Sequence, residues 1–254
     1  AKANSYEYGA HVPLAIRYPK KFGKDRRSDD LVGFIDFAPT ILEVTETTPK
    51  KMLPISGKSF LDILQSKKED AVDASRKYSF AGRERHSSSR YKNWGYPQRA
   101  IFSEYYVLIW NMKPDLWPAG APQKYDPKDI TSLLSMYGLD ENGHYIPDAA
   151  FMDIDDCPTK TYIIENYKND SIAPYFALAH AKRPEFELYN IAEDPSCLKN
   201  LYADAAHEKE QEHLMARLRV ELKKSKDPRI VGPNKEAFDT YKRYSRIRQF
   251  PRPD

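Results

Sequence analysis

The chain has 254 residues, 41% of them hydrophobic and 30% charged, which fits one large or two small soluble domains and not a disordered tail. Lys and Arg number 40 against 37 Asp and Glu, so the formal net charge of +3 is too small to argue for nucleic acid, and no apolar run reaches the length of a membrane span. The two cysteines, Cys157 and Cys197, form no CxxC motif, which argues against a structural zinc site and leaves their pairing open.

In chain order, Val12–Tyr18 (VPLAIRY) is a short apolar run closed by Pro19 and predicts a buried strand. A basic loop over 20–27 follows, then apolar residues 31–35. Asp36 and Pro39 mark a helix start, because Asp caps free N–H groups and Pro is tolerated in a first turn. Ile41, Leu42 and Val44 continue that helix. Gly57-Lys-Ser59 leads into a second short one over residues 60–64, with Ser59 or Asp62 near its start. This alternation predicts the end of an α/β layer over residues 1–75.

From residue 76 to 254 the pattern changes to a small α+β subdomain with an antiparallel sheet and a packed helix. Residues 77–82 and 99–111 are β-branched and aromatic, the second run turning near Ser103–Tyr105; Phe186–Asn190 is a further strand. Residues 112–150 hold many Pro, Gly and Asp and read as a long surface excursion. Asp204 caps a helix running to about Ser225, with Leu214, Met215, Leu218 and Leu222 on one face and Lys223, Lys224 and Lys226 at its C-terminal end. Beyond Asp227 the chain reads as a wrapping tail. Basic residues gather at Arg83, Arg85, Arg90 and Lys92, suited to an anionic sugar, and again over 243–252, read as a solvated tail. The 18 Tyr fill core rims or face a sugar.

Four segments carry a resemblance. Lys2-Ala-Asn-Ser-Tyr-Glu-Tyr-Gly9 with His11-Val12-Pro13 comes first, then Leu31–Leu42 (LVGFIDFAPTIL), then Gly57-Lys-Ser-Phe-Leu61. Glu187-Leu-Tyr-Asn190, Asp194-Pro195 and Asn200-Leu201 complete the set. In this order they resemble the C-terminal part of sulfatases. Arg83-Glu-Arg-His86 followed by Tyr96-Pro-Gln-Arg99 is similar to the heparan N-sulfatase (N-sulfoglucosamine sulfohydrolase) branch. The implied fold for residues 1–75 is the end of an alkaline-phosphatase/sulfatase-like large α/β domain, and the implied substrate is a sulfated glycan.

The resemblance further implies a formylglycine nucleophile from a C/S-x-P-x-R motif and a calcium ion held by carboxylates and an Asn. Cys157 and Cys197 stand in no such motif, so both groups, and with them the N-terminal half of the protein, are expected upstream of Ala1, and the fragment alone is expected to be inactive. Compartments consistent with the family are periplasmic, secreted or lysosomal. Lys2 matches the family Lys whose ammonium opposes charge developing on the sulfate oxygens. Arg83, Glu84, Arg85, His86, Arg99 and His11 are the candidate substrate-binding residues, Arg offering a bidentate fork for an anion. Equally, Lys2 reads as a terminal side chain in water, His11 as a structural histidine, and the 83–86 run as surface charge. Glu7 reads as a loop anchor, Gly9 as a position needing an unusual backbone angle, and Asp36 as a helix cap. An O-sulfatase, a phosphonate or phosphate monoester hydrolase of the same superfamily, and a non-catalytic glycan-binding module stay open as alternatives.

Overall fold

The computed structural model describes residues 3–86, 94–120, 142 and 150–240. Its centre is an antiparallel four-stranded sheet of β1 (Ser79–Arg83), β2 (Gln98–Phe102), β3 (Tyr106–Asn111) and β4 (Phe186–Asn190), ordered β1-β2-β3-β4. Around it lie α1 (Glu7–Ala10), α2 (Phe37–Val44), α3 (Leu61–Gln65), α4 (Pro158–Glu165), α5 (Ala173–His180), α6 (Glu208–Lys224) and α7 (Ala237–Thr240).

Side chains alternate across a strand, so the sheet has two chemically distinct faces. Phe80, Ile101, Leu108 and Leu188 stand opposite one another across the four strands on the back face. There they meet Leu214, Leu218 and Leu222 of α6, a stripe at helical spacing. Fully burying each of these leucines is worth about 2 kcal/mol. Asp204 starts this element as the sequence predicts: its carboxylate accepts the Ala206 N–H at 3.0 Å, capping a 3-10 turn that runs into α6. The β2–β3 turn also falls where expected, with Ser103 N–H donating to the Tyr106 carbonyl at 2.8 Å.

The front face is built from Ala81, Ala100, Phe102, Val107, Ile109 and Tyr189, covered by Tyr6 and Ala10 at α1. A third cluster lies beyond the sheet, where Phe151 packs with Ala119 and Ile164, and with Phe176 of α5. His180, at the end of α5, sits 4.6 Å from the Phe151 ring and 4.9 Å from the Phe176 ring.

The small α+β subdomain is therefore present, but three expectations for the N-terminal part are corrected. Val12–Tyr18 is not a buried strand: it is extended and pairs with no strand among the described residues, with Val12, Leu14 and Ile16 exposed at 45%, 50% and 43%. The strand half of the strand–helix alternation is thus not formed there. Gly9 needs no unusual backbone, since it lies within α1 and is not among the residues of positive φ. Asp36 does not cap α2. Its buried carboxylate instead accepts the N–H groups of Gly33 at 3.1 Å and Lys58 at 2.8 Å and pairs with Arg76 at 2.9 Å. That junction clamps the 57–58 loop onto the turn before α2, so closely that a Cβ at Gly57 would lie 2.1 Å from the Ile35 carbonyl oxygen. Most of the 112–150 excursion and the basic stretch 243–252 lie outside the described residues.

Candidate functional site

Register decides which charged residues share a site. Arg83, Gln98 and Asn111 are paired partners across β1, β2 and β3, so their side chains form one polar row at the end of the front face. One residue away, Gly82, Arg99 and Trp110 form the adjacent row, which points to the back. Arg83 and Arg99, grouped by sequence, are thereby sent to opposite sides of the sheet.

The front row opens into a cleft of about 630 Å³ lined by Arg83, His86 and Gln98 together with Ala3, Asn4 and Tyr6 of the N-terminal motif. Arg83 donates to Asp153 Oδ2 at 2.6 Å, and His86 Nδ1 lies 3.5 Å from the other oxygen of the same buried carboxylate. Asp153 thus holds both side chains at the rim. The Arg83 guanidinium also lies 5.8 Å from the ring centroid of Tyr96. Arg183 supplies a further cation to the cleft wall. Its guanidinium donates to the Ala177 and Leu178 carbonyls near the end of α5 and lies 5.9 Å from the Tyr6 ring centroid.

Tyr6 is fastened from below. Its hydroxyl lies 2.8 Å from Glu187 Oε2 and donates to that buried carboxylate, which also accepts from Tyr189 at 2.7 Å and from Asn111 Nδ2 at 2.9 Å. Burial first, and then the Glu187 charge, push both tyrosine hydroxyls well above their ordinary range, so they remain donors. The strand residues of the Glu-Leu-Tyr-Asn run are thereby tied to the N-terminal motif: β4 holds Tyr6 beside the cleft.

On the back, Glu84 and Arg99 belong to a buried ion network and do not line the cleft. Arg99 donates to Asp227 at 2.5 Å and to Glu84 at 2.6 Å, while Arg229 pairs with Glu84 at 2.6 Å and Asp239 at 2.9 Å. Burial works against the Arg99 charge, but the hydrogen bonds it donates to Asp227 and Glu84 outweigh it and raise its pKa. Burial likewise opposes the Asp239 charge, yet donation from Gly95 N–H, Lys113 and Arg229 holds it down at about 2. This network joins the segment after α6 to β1 and β2.

Of the remaining candidates, Arg85 is half-buried and does not line the cleft. His11 points to solvent, its ring nitrogen 2.6 Å from the Glu7 carboxylate one turn earlier, so the Glu7 side chain meets an exposed neighbour and no other element is tied by that contact. Lys2, Arg90 and Lys92 lie outside the described residues. Sequence reading missed Gln98, Asp153 and Arg183. Only the strand period around Gln98 carried a usable signal, since it separates Gln98 from Arg99.

The groups that the sulfatase resemblance implies find no fit here. Among the described residues no three His, Cys, Asp or Glu side chains are gathered to hold a metal ion. Burial pushes the Cys197 thiol up to about 11, so it is protonated at neutral pH, and Cys157 Sγ accepts from Lys160 N–H at 3.5 Å at the start of α4.

The antiparallel sheet, with a long helix across its back and a cleft lined by Arg83 and Arg183 beside Asp153 and Asp155 at one end of its front, makes a small α+β unit. The chain belongs to the family described as N-sulphoglucosamine sulphohydrolase, C-terminal, whose model matches residues 1–141. It is 25% identical over 222 residues to an ulvan-active sulfatase from Formosa agariphila, covering 85% of this chain and 29% of that protein. A structure solved in complex with its substrate D-glucosamine-2-N,6-O-disulfate is 18% identical at a TM-score of 0.48, covering 83% of this chain and 28% of the other. A 2-O glycosaminoglycan sulfatase is 14% identical at a TM-score of 0.38, covering 86% and 31%. The chain thus spans under a third of the length of each of these proteins.

Proposed function

We propose that this chain is the substrate-receiving C-terminal part of a sulfohydrolase that removes sulfate from sulfated glycans, acting on N-sulfoglucosamine of heparan-type chains. One observation carries the reading: Ala3 and Asn4, which directly follow Lys2, line the same cleft as Arg83, His86 and Arg183. A sulfate or sulfamate group stays anionic at physiological pH, and guanidinium groups offer it paired donors that cost little to desolvate. Lys2 then supplies a compact ammonium to the sulfate oxygens as they gain charge. On this reading the calcium and the formylglycine are supplied from outside this chain. A periplasmic, secreted or lysosomal location goes with it.

A second reading, an O-sulfatase, is favoured by the similarity to the ulvan-active sulfatase. The test is sulfate release by the complete enzyme from N-sulfated and from 6-O-sulfated glucosamine, with Lys2→Ala and Arg83→Ala as controls. Release from the N-sulfated sugar, lost in Lys2→Ala, is the expected result. Release from the O-sulfate alone selects the second reading. Retention on heparin with no release from any sulfated sugar makes the chain a glycan-binding module.

A further inference from the structure

Gln98 is 2% exposed and lines the cleft, yet its side-chain carbonyl has no hydrogen-bond partner. The amide cannot relieve this by turning over. Its Nε2 donates to Asn111 Oδ1 at 2.8 Å, and Asn111 must present that oxygen because its own Nδ2 donates to the Pro184 carbonyl at 2.8 Å and to Glu187 at 2.9 Å. Glu187 fixes Asn111, Asn111 fixes Gln98, and the chain of donors ends on a lone, buried acceptor in a residue that lines the cleft. A buried carbonyl left unpaired costs free energy that a ligand donor would recover.

The surroundings narrow the ligand. Arg83 pairs with Gln98 across the strands, and Arg183 and His86 line the same cleft together with the carboxylates of Asp153 and Asp155, so the Arg83 and Arg183 guanidiniums are the groups there that can take an anionic substituent beside that acceptor. We infer that Gln98 is a specificity-determining residue whose carbonyl accepts a hydrogen bond from an N–H or O–H donor on a sugar whose anionic substituent is held by Arg83 and Arg183. The inference deepens the proposed sulfohydrolase reading and rests on it for the sugar class. A site with a lone acceptor discriminates strongly against an analogue lacking the donor, because the acceptor then stays unpaired in the bound state.

The test uses the complete enzyme and three ligands: N-sulfoglucosamine, its N-methyl derivative and its 3-deoxy derivative. Binding is followed by titration calorimetry and turnover by sulfate release, for the wild type and for Gln98→Met. The wild type is expected to lose about 10-fold or more in kcat/KM and affinity toward one of the two donor-lacking sugars. Gln98→Met should lose as much toward N-sulfoglucosamine while handling that donor-lacking sugar as the wild type does. Retained handling of the donor-lacking sugar also shows that the variant is folded; if Gln98→Met does not fold, the wild-type comparison alone decides. A wild type indifferent to both deletions overturns the inference, as does a variant that falls equally toward all three sugars, the signature of a purely structural amide. Binding with donor discrimination but no sulfate release sinks the sulfohydrolase reading and leaves the Gln98 assignment standing. Turnover without discrimination does the reverse, and neither binding nor release from any of the three rejects both.

Discussion

Acidification should loosen the wall of the cleft through His180. This imidazole is 1% exposed and lies between Phe151 and Phe176, and burial lowers its pKa from 6.5 to about 4, with the nearby charges of Lys160 and Arg183 adding to the shift. The unfolded chain therefore takes up a proton near pH 6.5, whereas the folded one refuses it until about pH 4. Between those values the unfolded state binds more protons, so stability falls as pH drops and is flat above pH 6.5 as far as this group is concerned. The full difference is roughly 3 kcal/mol, reached at about pH 4. Paired carboxylates add little in this window: Asp239 is held near 2, and hydrogen bonds from Lys58 and Ser75 hold Asp73 lower than an ordinary Asp, so their contributions are lost only in stronger acid. Hydrogen exchange of the α5 amides, measured from pH 7.5 down to 4.5 and corrected for intrinsic exchange rates, reads the effect locally. Protection should fall with acid in the wild type and stay level in His180→Phe, which keeps an aromatic ring in the cluster. Parallel loss of protection in both proteins would refute the argument.

Leu218 is 1% exposed at the centre of the α6 stripe, and Leu218→Ala should lower the unfolding free energy by roughly 3 kcal/mol in urea melts, with Lys224→Ala on the exposed end of the helix as a near-neutral control. Asp36→Ala leaves the Arg76 guanidinium, with 6% of its side chain exposed, without its closest charged partner; a stability loss of about 3 kcal/mol is expected by differential scanning calorimetry, and a change under half a kilocalorie would dismiss the clamp. Tyr6→Phe removes the donor that holds the N-terminal motif to β4 and should reduce sulfate release by the complete enzyme while costing about 1 kcal/mol in stability. Unchanged turnover in that variant would separate Tyr6 from the cleft's work.

The sheet was legible because its strands are short runs of Val, Ile and aromatic residues with turn signals between them, and α6 because its leucines recur at helical spacing. α5 was not, since Ala173–His180 is apolar on nearly every side and shows no stripe; its one buried residue, His180, packs against Phe151 from a distant segment, which no local pattern announces. Val12–Tyr18 misled for the opposite reason: strand-like composition does not make a strand without a ladder partner. Within the site, the charged run at 83–86 marked the right place, but composition could not divide it. Sheet register sends Arg83 forward while Glu84 joins Arg99 behind. Asp153 and Arg183 meet the cleft from segments distant in sequence, and nothing local to either points there.

That division has a consequence for how this region tolerates change. A substitution at Gln98 or Arg99 alters one side of the molecule and leaves the other nearly untouched. Deleting Pro97 with the preceding chain held in place would advance the strand by one position, bringing the Arg99 guanidinium to the cleft face and leaving Ala100 to face Asp227 and Glu84. Length in that short connection is therefore as binding a constraint as identity, and drift there should proceed by replacement, never by insertion or loss.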